Sequence, residues 1–475
     1  MERTSTPTRP GSARRTRRWL APALLTAGLI LPASLGHAAP RAGASPVTIE
    51  VWDHNSFGDL ATHLDTLMKA FERTHPLIRL KLVHNQTPDK DLTAIAAGGG
   101  PDVVWLWDGS SPVANWAANG VIQPLDSFIS ASHYNLSNLQ QAGVGQVTYR
   151  GHTWGLPLLG DTFWLWYNVK DFRAAGLDPA HPPATLQETL ADGIKLTRRS
   201  GSGRILRLGY LPGFYSAANG GSGASVAYIN GNDVNPYSPV FGASLYSADS
   251  TKVTPDSPAN LAVWNEMRTE AGIYDRLYGH DRVIRFISGL GAPFTAQEGF
   301  LSGRVSMKID GDWVPQNVRD YKPSWKYGVD YAVAPVPYAA GYARFAHHQA
   351  IATYPLVMSS RTKHPQEAWE FMRWLQDPAQ GADMGVYLYN LPLHKAALDS
   401  PRLTALPGFS ALLPLMRSQI TLVADPIAPV GDQYNSVVNS YTNAILSGQT
   451  SPAAAMGAVR QRMQSQLDKI VATGH

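Results

Sequence analysis

The stretch GGGPDVVWLWDG, Gly98 to Gly109, decides how the fold is read. Three glycines break the preceding element, Pro101 and Asp102 begin a new one, and Val103 to Trp107 is an apolar run without polar alternation. Such a run reads as a strand buried on both faces, as in parallel sheets covered by helices. Trp105, Trp107 and Asp108 then stand where the strand gives way to a loop. Indole surface is costly to leave in water, so tryptophans beside a carboxylate mark either core or a binding surface.

Upstream, Val47 to Trp52 alternates like a strand, and Leu64, Leu67, Met68 and Phe71 recur at helical spacing until His75-Pro76. Ile78, Leu80 and Leu82 alternate again, and a polar helix leads into the glycine break. Strand, helix, strand, helix, strand within residues 47–107 predicts βαβ units and a parallel sheet. Downstream, Thr185 and Glu188 form a capping-box pattern ahead of the stripe Leu186, Leu190, Ile194, and SGSG at 200–203 turns into a strand over Ile205 to Tyr210. Trp369, Met372, Trp374 and Leu375 predict a helix ending at Asp377-Pro378. Ser451-Pro452 opens a terminal helix striped by Met456, Val459, Met463, Leu467 and Ile470.

The 475 residues are 44% hydrophobic and 10% aromatic, the composition of a globular chain with ample core. Arg14, Arg15, Arg17 and Arg18 precede the apolar run WLAPALLTAGLILPASLG and the small residues around Ala38, the order of an export signal over residues 1–38. Arg17-Arg18 also permits the twin-arginine route. That segment carries six arginines and Glu2, 6 − 1 = +5, against +4 for the whole chain, so the mature protein is near −1. Nothing remains of a nucleic-acid footprint. With no cysteine, the chain has neither disulfides nor a thiol for a lipid, and the expected product is free in the periplasm or medium.

Nucleophile elbows, zinc-protease helices and phosphate loops are absent from the sequence. His347-His348 lacks acidic neighbours at ligand spacing, and Asp310-Gly311-Asp312 lacks the later ligands of a calcium loop, so no metal and no cofactor is expected. A pair of glycosidase carboxylates is not excluded by sequence.

IEVWDHNS (49–56), MKAFERTHPLIRLKL (68–82), GGGPDVVWLW (98–107), NGVIQPLDSFI (119–129), GLPLLGDTFWLWYNVKDFRAAGLDP (155–179), GRVSMKIDGDW (303–313) and HPQEAWEFMRWL (364–375) occur in that order. Together they resemble the extracellular solute-binding proteins of ATP-driven carbohydrate importers, the family that includes maltose-binding protein. The resemblance implies an α/β, two-lobed periplasmic-binding-protein fold of type II, with a ligand cleft between lobes joined by a hinge that the chain crosses repeatedly. It places lobe 1 at 47–160 plus 333–388 and lobe 2 at 161–332 plus 389–475, and implies a carbohydrate ligand, a transmembrane permease as partner, a monomer and no catalysis.

A pyranose presents apolar C–H faces and an edge of hydroxyls, which aromatic rings and carboxylates recognise. Ligands of open α/β sheets bind beyond the carboxyl ends of the strands, which nominates Trp52, His54, Asn55, Trp107 and Asp108. Trp105 and Trp107 share a face, so one is core and the other ligand-facing only if the strand ends between them. The resemblance adds Asp161 at the first lobe crossing, Trp313 as a stacking ring, Asp312 as a hydroxyl acceptor or helix cap, and Gln433-Tyr434 in a late cleft segment. Phe214 or Tyr215, after the strand ending at Tyr210, is a second-lobe aromatic. The alternatives are the same fold with a polyamine, phosphorylated polyol or iron, a secreted glycosidase, or a surface adhesin.

Overall fold

A computed structural model describes residues 45–54, 58–107, 111–214 and 235–472. The export signal, Asn55, Asp108 and Tyr215 lie outside the described residues. The strands are β1 (Val47–Asp53), β2 (Ile78–Val83), β3 (Val103–Trp105), the hairpin β4 (Thr148–Tyr149) and β5 (His152–Thr153), the long β6 (Gly155–Asn168), and a second hairpin, β7 (Arg198–Arg199) with β8 (Ile205–Arg207). They continue with β9 (Met307–Gly311), β10 (Tyr331–Ala334), β11 (His348–Met358), β12 (Leu391–Pro392) and β13 (Thr421–Val423).

Nine described strands connect in one sheet with the path β10-β6-β11-β3-β1-β2, while β9 and β12 join β6 and β13 joins β11. The expected parallel pairing holds for β1 with β2 and β3. Elsewhere β13 joins β11 in parallel, but β6 pairs antiparallel with β9, β10, β11 and β12, and β11 with β3. The sheet is therefore mixed, because its later strands return from distant parts of the chain rather than through consecutive βαβ crossovers.

Two strands thread the whole sheet. The first part of β6, Gly155–Thr162, pairs with β11, and the second, Phe163–Asn168, pairs with β9 and β10. In β6, Leu156, Leu158 and Leu159 pack in one core, Phe163, Leu165 and Tyr167 in a second, and Trp164 and Trp166 in a third on the opposite face. In β11, Ala350 and Ala352 belong to the second core, Ile351 to the third, and Tyr354, Leu356 and Met358 to the first. Within β3, Val103 and Trp105 face the first core while Val104, with Leu106 just beyond, faces a fourth core containing Trp116 and Val357. Each half of the sheet is thus covered on both faces, the layering the unbroken apolar runs predicted.

Several local expectations are met. The helix Leu186–Leu196 starts with the capping box Thr185/Glu188. The helices Pro365–Leu375 and Pro452–Ala472 bury Trp369 and Met372, and Met456, Val459, Met463 and Leu467. The strand expected over Ile205 to Tyr210 is regular only to Arg207, with single bridges from Leu208 to Val305 and from Leu211 to Lys308.

Candidate functional site

Asp161 lies near the middle of β6, fully buried and paired in register with Ala352 of β11. One carboxylate oxygen accepts from the Tyr354 hydroxyl and the other from Asn390 Nδ2. One residue on, Thr162 faces a second acid. Asp312 follows β9 and is 1% exposed; its Oδ2 accepts from Thr162 Oγ1 at 3.0 Å and from the Thr162 backbone N–H at 3.3 Å. Trp164 Nε1 donates to the same threonine oxygen at 2.9 Å and fixes that rotamer. Asp312 Oδ1 is buried and has no hydrogen-bond partner among the described residues. Burial, and then the neighbouring Asp161 charge, push the Asp312 carboxyl well above the usual carboxylate range, opposed by the Thr162 bonds.

Rings close both ends of this carboxylate row. Trp107 stacks on Tyr354 with centroids 5.3 Å apart and an interplanar angle of 27°, so the hydroxyl that grips Asp161 belongs to a ring already held by an indole. Both tryptophans pack against the first core, with their rings 5.2 Å apart, but they sit differently on the strand. It ends at Trp105, which is 2% exposed, and Trp107 follows beyond that end with its indole N–H buried and without a partner among the described residues. At the other end Trp313 sits edge-on to Phe163 at 5.9 Å and 6.2 Å from Phe294. A Cβ on Gly311 would stand 2.1 Å from the Trp313 ring, so this position accepts only glycine while the indole keeps its place.

Trp313, Phe294, Leu211 and Gly213 line a cavity of about 70 Å³ whose polar wall is Lys308, Glu298 and Asp310. The Lys308 ammonium is 3.2 Å from Glu298 and 2.5 Å from Asp310. Burial disfavours its charge, but the two carboxylates outweigh burial and hold it above the usual lysine range.

The structure therefore gathers Trp107, Asp161, Asp312 and Trp313. Other nominated residues are placed differently. Trp52 lies inside β1 rather than after it, and its indole N–H donates to Glu50 at 2.7 Å. His54 does follow β1, but its Nε2 is 2.5 Å from the buried Asp91. Asp312 is not a helix cap: Trp313 occupies that position before Val314–Tyr321, and the Asp312 carboxylate bonds Thr162 instead. Phe214 is buried in the second core. Tyr434 is also core, 0% exposed, 5.5 Å from Tyr246 and lining a cavity of about 20 Å³ with Trp264, Val438 and Met456.

Tyr354, Asn390 and Thr162, which hold the two acids, were missed by sequence reasoning. No motif marks them, since each is defined by a partner far away in the chain. Lys308 and Asp310 did leave a signal, because residues two apart on a strand share a face. No cluster of three or more acidic or histidine side chains able to hold a metal occurs among the described residues.

This geometry has relatives. The family model described as bacterial extracellular solute-binding protein matches residues 57–382. A putative binding protein of Brucella abortus is 23% identical over 90% of this chain and 95% of its own length. The sn-glycerol-3-phosphate-binding periplasmic protein UgpB of Shigella dysenteriae is 25% identical over 78% of this chain and 79% of its own. Among solved structures, CpMnBP1 with mannotriose bound superposes with a TM-score of 0.71 at 26% identity, covering 87% of this chain and 99% of the other. The GacH receptor of Streptomyces glaucescens has the same fold, with a TM-score of 0.64 at 20% identity over 89% and 98% of the two chains. The chain, with its two-lobed α/β architecture, belongs to the bacterial extracellular solute-binding proteins.

Proposed function

We propose that this protein binds a neutral mono- or oligosaccharide in a cleft at the middle of β6 and delivers it to the membrane permease of an ATP-driven importer. The observation that carries the reading is the row Trp107, Tyr354, Asp161, Asp312, Trp313, in which rings able to cover sugar faces flank carboxylates able to take hydroxyl protons. The kinship with CpMnBP1, whose structure holds mannotriose, supports a sugar ligand.

The kinship with UgpB raises glycerol phosphate as the competing cargo. Two buried carboxylates are the wrong surroundings for a phosphate, and Lys308 is already committed to Glu298 and Asp310. A glycosidase reading is disfavoured because the family consists of solute-binding proteins.

In this reading lobe 1 carries the first core and lobe 2 the second. The packing of Val336, Ala339 and Ala350 in the second core, and of Tyr354 in the first, supports a second passage between lobes within β11 rather than at Ala332. The mature chain is an exported, non-lipidated monomer beginning near Ala39.

Melting temperatures of the mature protein with mannobiose, mannotriose, maltotriose and glycerol 3-phosphate test the reading, since ligand bound only by the folded form raises the midpoint. A shift with a neutral sugar is expected. A shift with glycerol 3-phosphate alone replaces carbohydrate by a phosphorylated polyol.

A further inference from the structure

We propose that the corner formed by the β7–β8 hairpin, the end of the helix Pro258–Tyr278 and the helix His280–Ser288 is a docking surface for an anionic phospholipid bilayer. Residues 195–207, KLTRRSGSGRILR, contain Lys195, Arg198, Arg199, Arg204 and Arg207 and no acid. Lys195 pairs with Asp192 and Arg207 with Asp171. Arg198, Arg199 and Arg204 are exposed and have no carboxylate partner among the described residues, as do Arg282 and Arg285 on the neighbouring helix.

The hydrogen bonds these guanidinium groups make are to neutral backbone oxygens. Arg198 donates to Lys195 O, Arg199 to Leu277 O, Arg282 to Tyr278 O and Arg285 to Asp281 O. Arg199 also lies over the Tyr278 ring, 5.7 Å from its centroid. Such bonds fix the arginines in place without neutralising them, so the corner keeps its positive field. The acids at its margin are Asp192, bound to Lys195; Asp275, which faces His280; and Asp281, exposed on the short helix.

Two leucines stand among the arginines, Leu206 at 44% exposure and Leu277 at 43%. A soluble polyanion or an acidic protein loop has no need of them. The headgroup boundary of a bilayer takes both, with cations at the phosphates and small apolar side chains just beneath.

The position also separates this corner from the ligand site. Beyond β8, Leu208 bridges Val305, the chain bends at Gly209, and Leu211 bridges Lys308 at the wall of the Trp313 cavity. Six steps of chain separate Ile205 in the hairpin from Leu211 on the cavity wall. A permease that distinguishes loaded from empty protein must read the lobe faces around the cleft, whereas a bilayer contact at the far end needs no knowledge of the ligand. In a chain without cysteine, such a surface would hold the exported protein reversibly near its membrane.

The test is co-sedimentation of the mature protein with vesicles of mixed phosphatidylglycerol and phosphatidylcholine, against vesicles of phosphatidylcholine alone. Binding to the anionic vesicles at low salt and its loss at high salt are expected. The triple variant Arg198→Glu, Arg199→Glu, Arg204→Glu should bind at least about tenfold more weakly with its melting temperature unchanged. If charge reversal disturbs folding, the pair Arg198→Gln, Arg204→Gln should weaken binding in the same direction. Leu206→Ser should weaken vesicle binding while leaving binding to soluble polyphosphate as it was. No sedimentation with anionic vesicles, charge variants that bind like the wild type, or an unaffected Leu206→Ser protein each overturn the proposal. The last outcome would assign the corner to a soluble polyanion.

Discussion

In the first half of the sheet, β1, β2 and β3 follow one another in the chain and lie side by side in parallel; in the second, β6 is flanked by β9 and β10, which begin at Met307 and Tyr331 and run antiparallel to it. Both halves end with helices on both faces, yet only the first advertises its construction locally. The lesson is that a repeated cross-section need not come from a repeated chain path. Where the partner of a strand is its near neighbour in sequence, burial leaves a periodic trace; where it is far away, the same burial leaves only an apolar run.

The contrast predicts where mutations act, and the largest effect belongs to the first half. Trp105→Ala removes a side chain enclosed by the first core and should cost about 3–5 kcal/mol of folding free energy. Trp313→Ala should cost less, since one side of that indole borders a cavity, and should also abolish the sugar-dependent rise in melting temperature. Urea unfolding of both variants with and without ligand checks the pair. A Trp313→Ala protein that keeps the full ligand response would make this tryptophan purely a core residue of the second half.

Asp161→Asn probes the seam between the halves. Losing a charge-assisted bond to a hydroxyl should weaken sugar binding roughly tenfold to a hundredfold, measured by calorimetric titration. Unchanged affinity would move the ligand contact to another residue of the row.

Asp312 probes the same seam through pH. Its folded pKa lies above the unfolded value, so its contribution to stability is fully present below about pH 4 and is lost as pH rises through the raised folded value. Asp312→Asn should therefore flatten the fall in melting temperature on going from acid to neutral pH. The buried Glu270, which accepts from Tyr237 and is shifted in the same direction, should leave a residual slope in that variant. A wild-type midpoint that rises with pH over this range would contradict the upward shift of both acids.

The smallest effect belongs to a purely local device. Thr185→Ala breaks the capping box before Leu186–Leu196 and should cost about 1 kcal/mol without touching affinity.

Legibility followed the same divide. The strand–helix alternation of residues 47–107, the cap at Thr185 and the terminal helix were readable because each depends on residues within a few turns of one another. The run IATYPLVM in β11 gave no sign of being a second passage through the sheet, since a buried strand on both faces lacks period-two contrast. Resemblance, rather than periodicity, singled out Asp161, Asp312 and Trp313. Glu270 escaped for another reason: a charged residue in a helix reads as an outward position, and only tertiary pairing makes its burial tolerable.

The long strand β6 has a consequence for how the molecule comes apart. Its fourteen residues are all buried and feed three separate cores, and β11 runs beside it through the same cores. Neither half can melt without dragging an edge of the other into water. Residues 46–475, which form one compact unit, should accordingly unfold in a single calorimetric transition whose van't Hoff and calorimetric enthalpies agree, although two lobes would ordinarily suggest two.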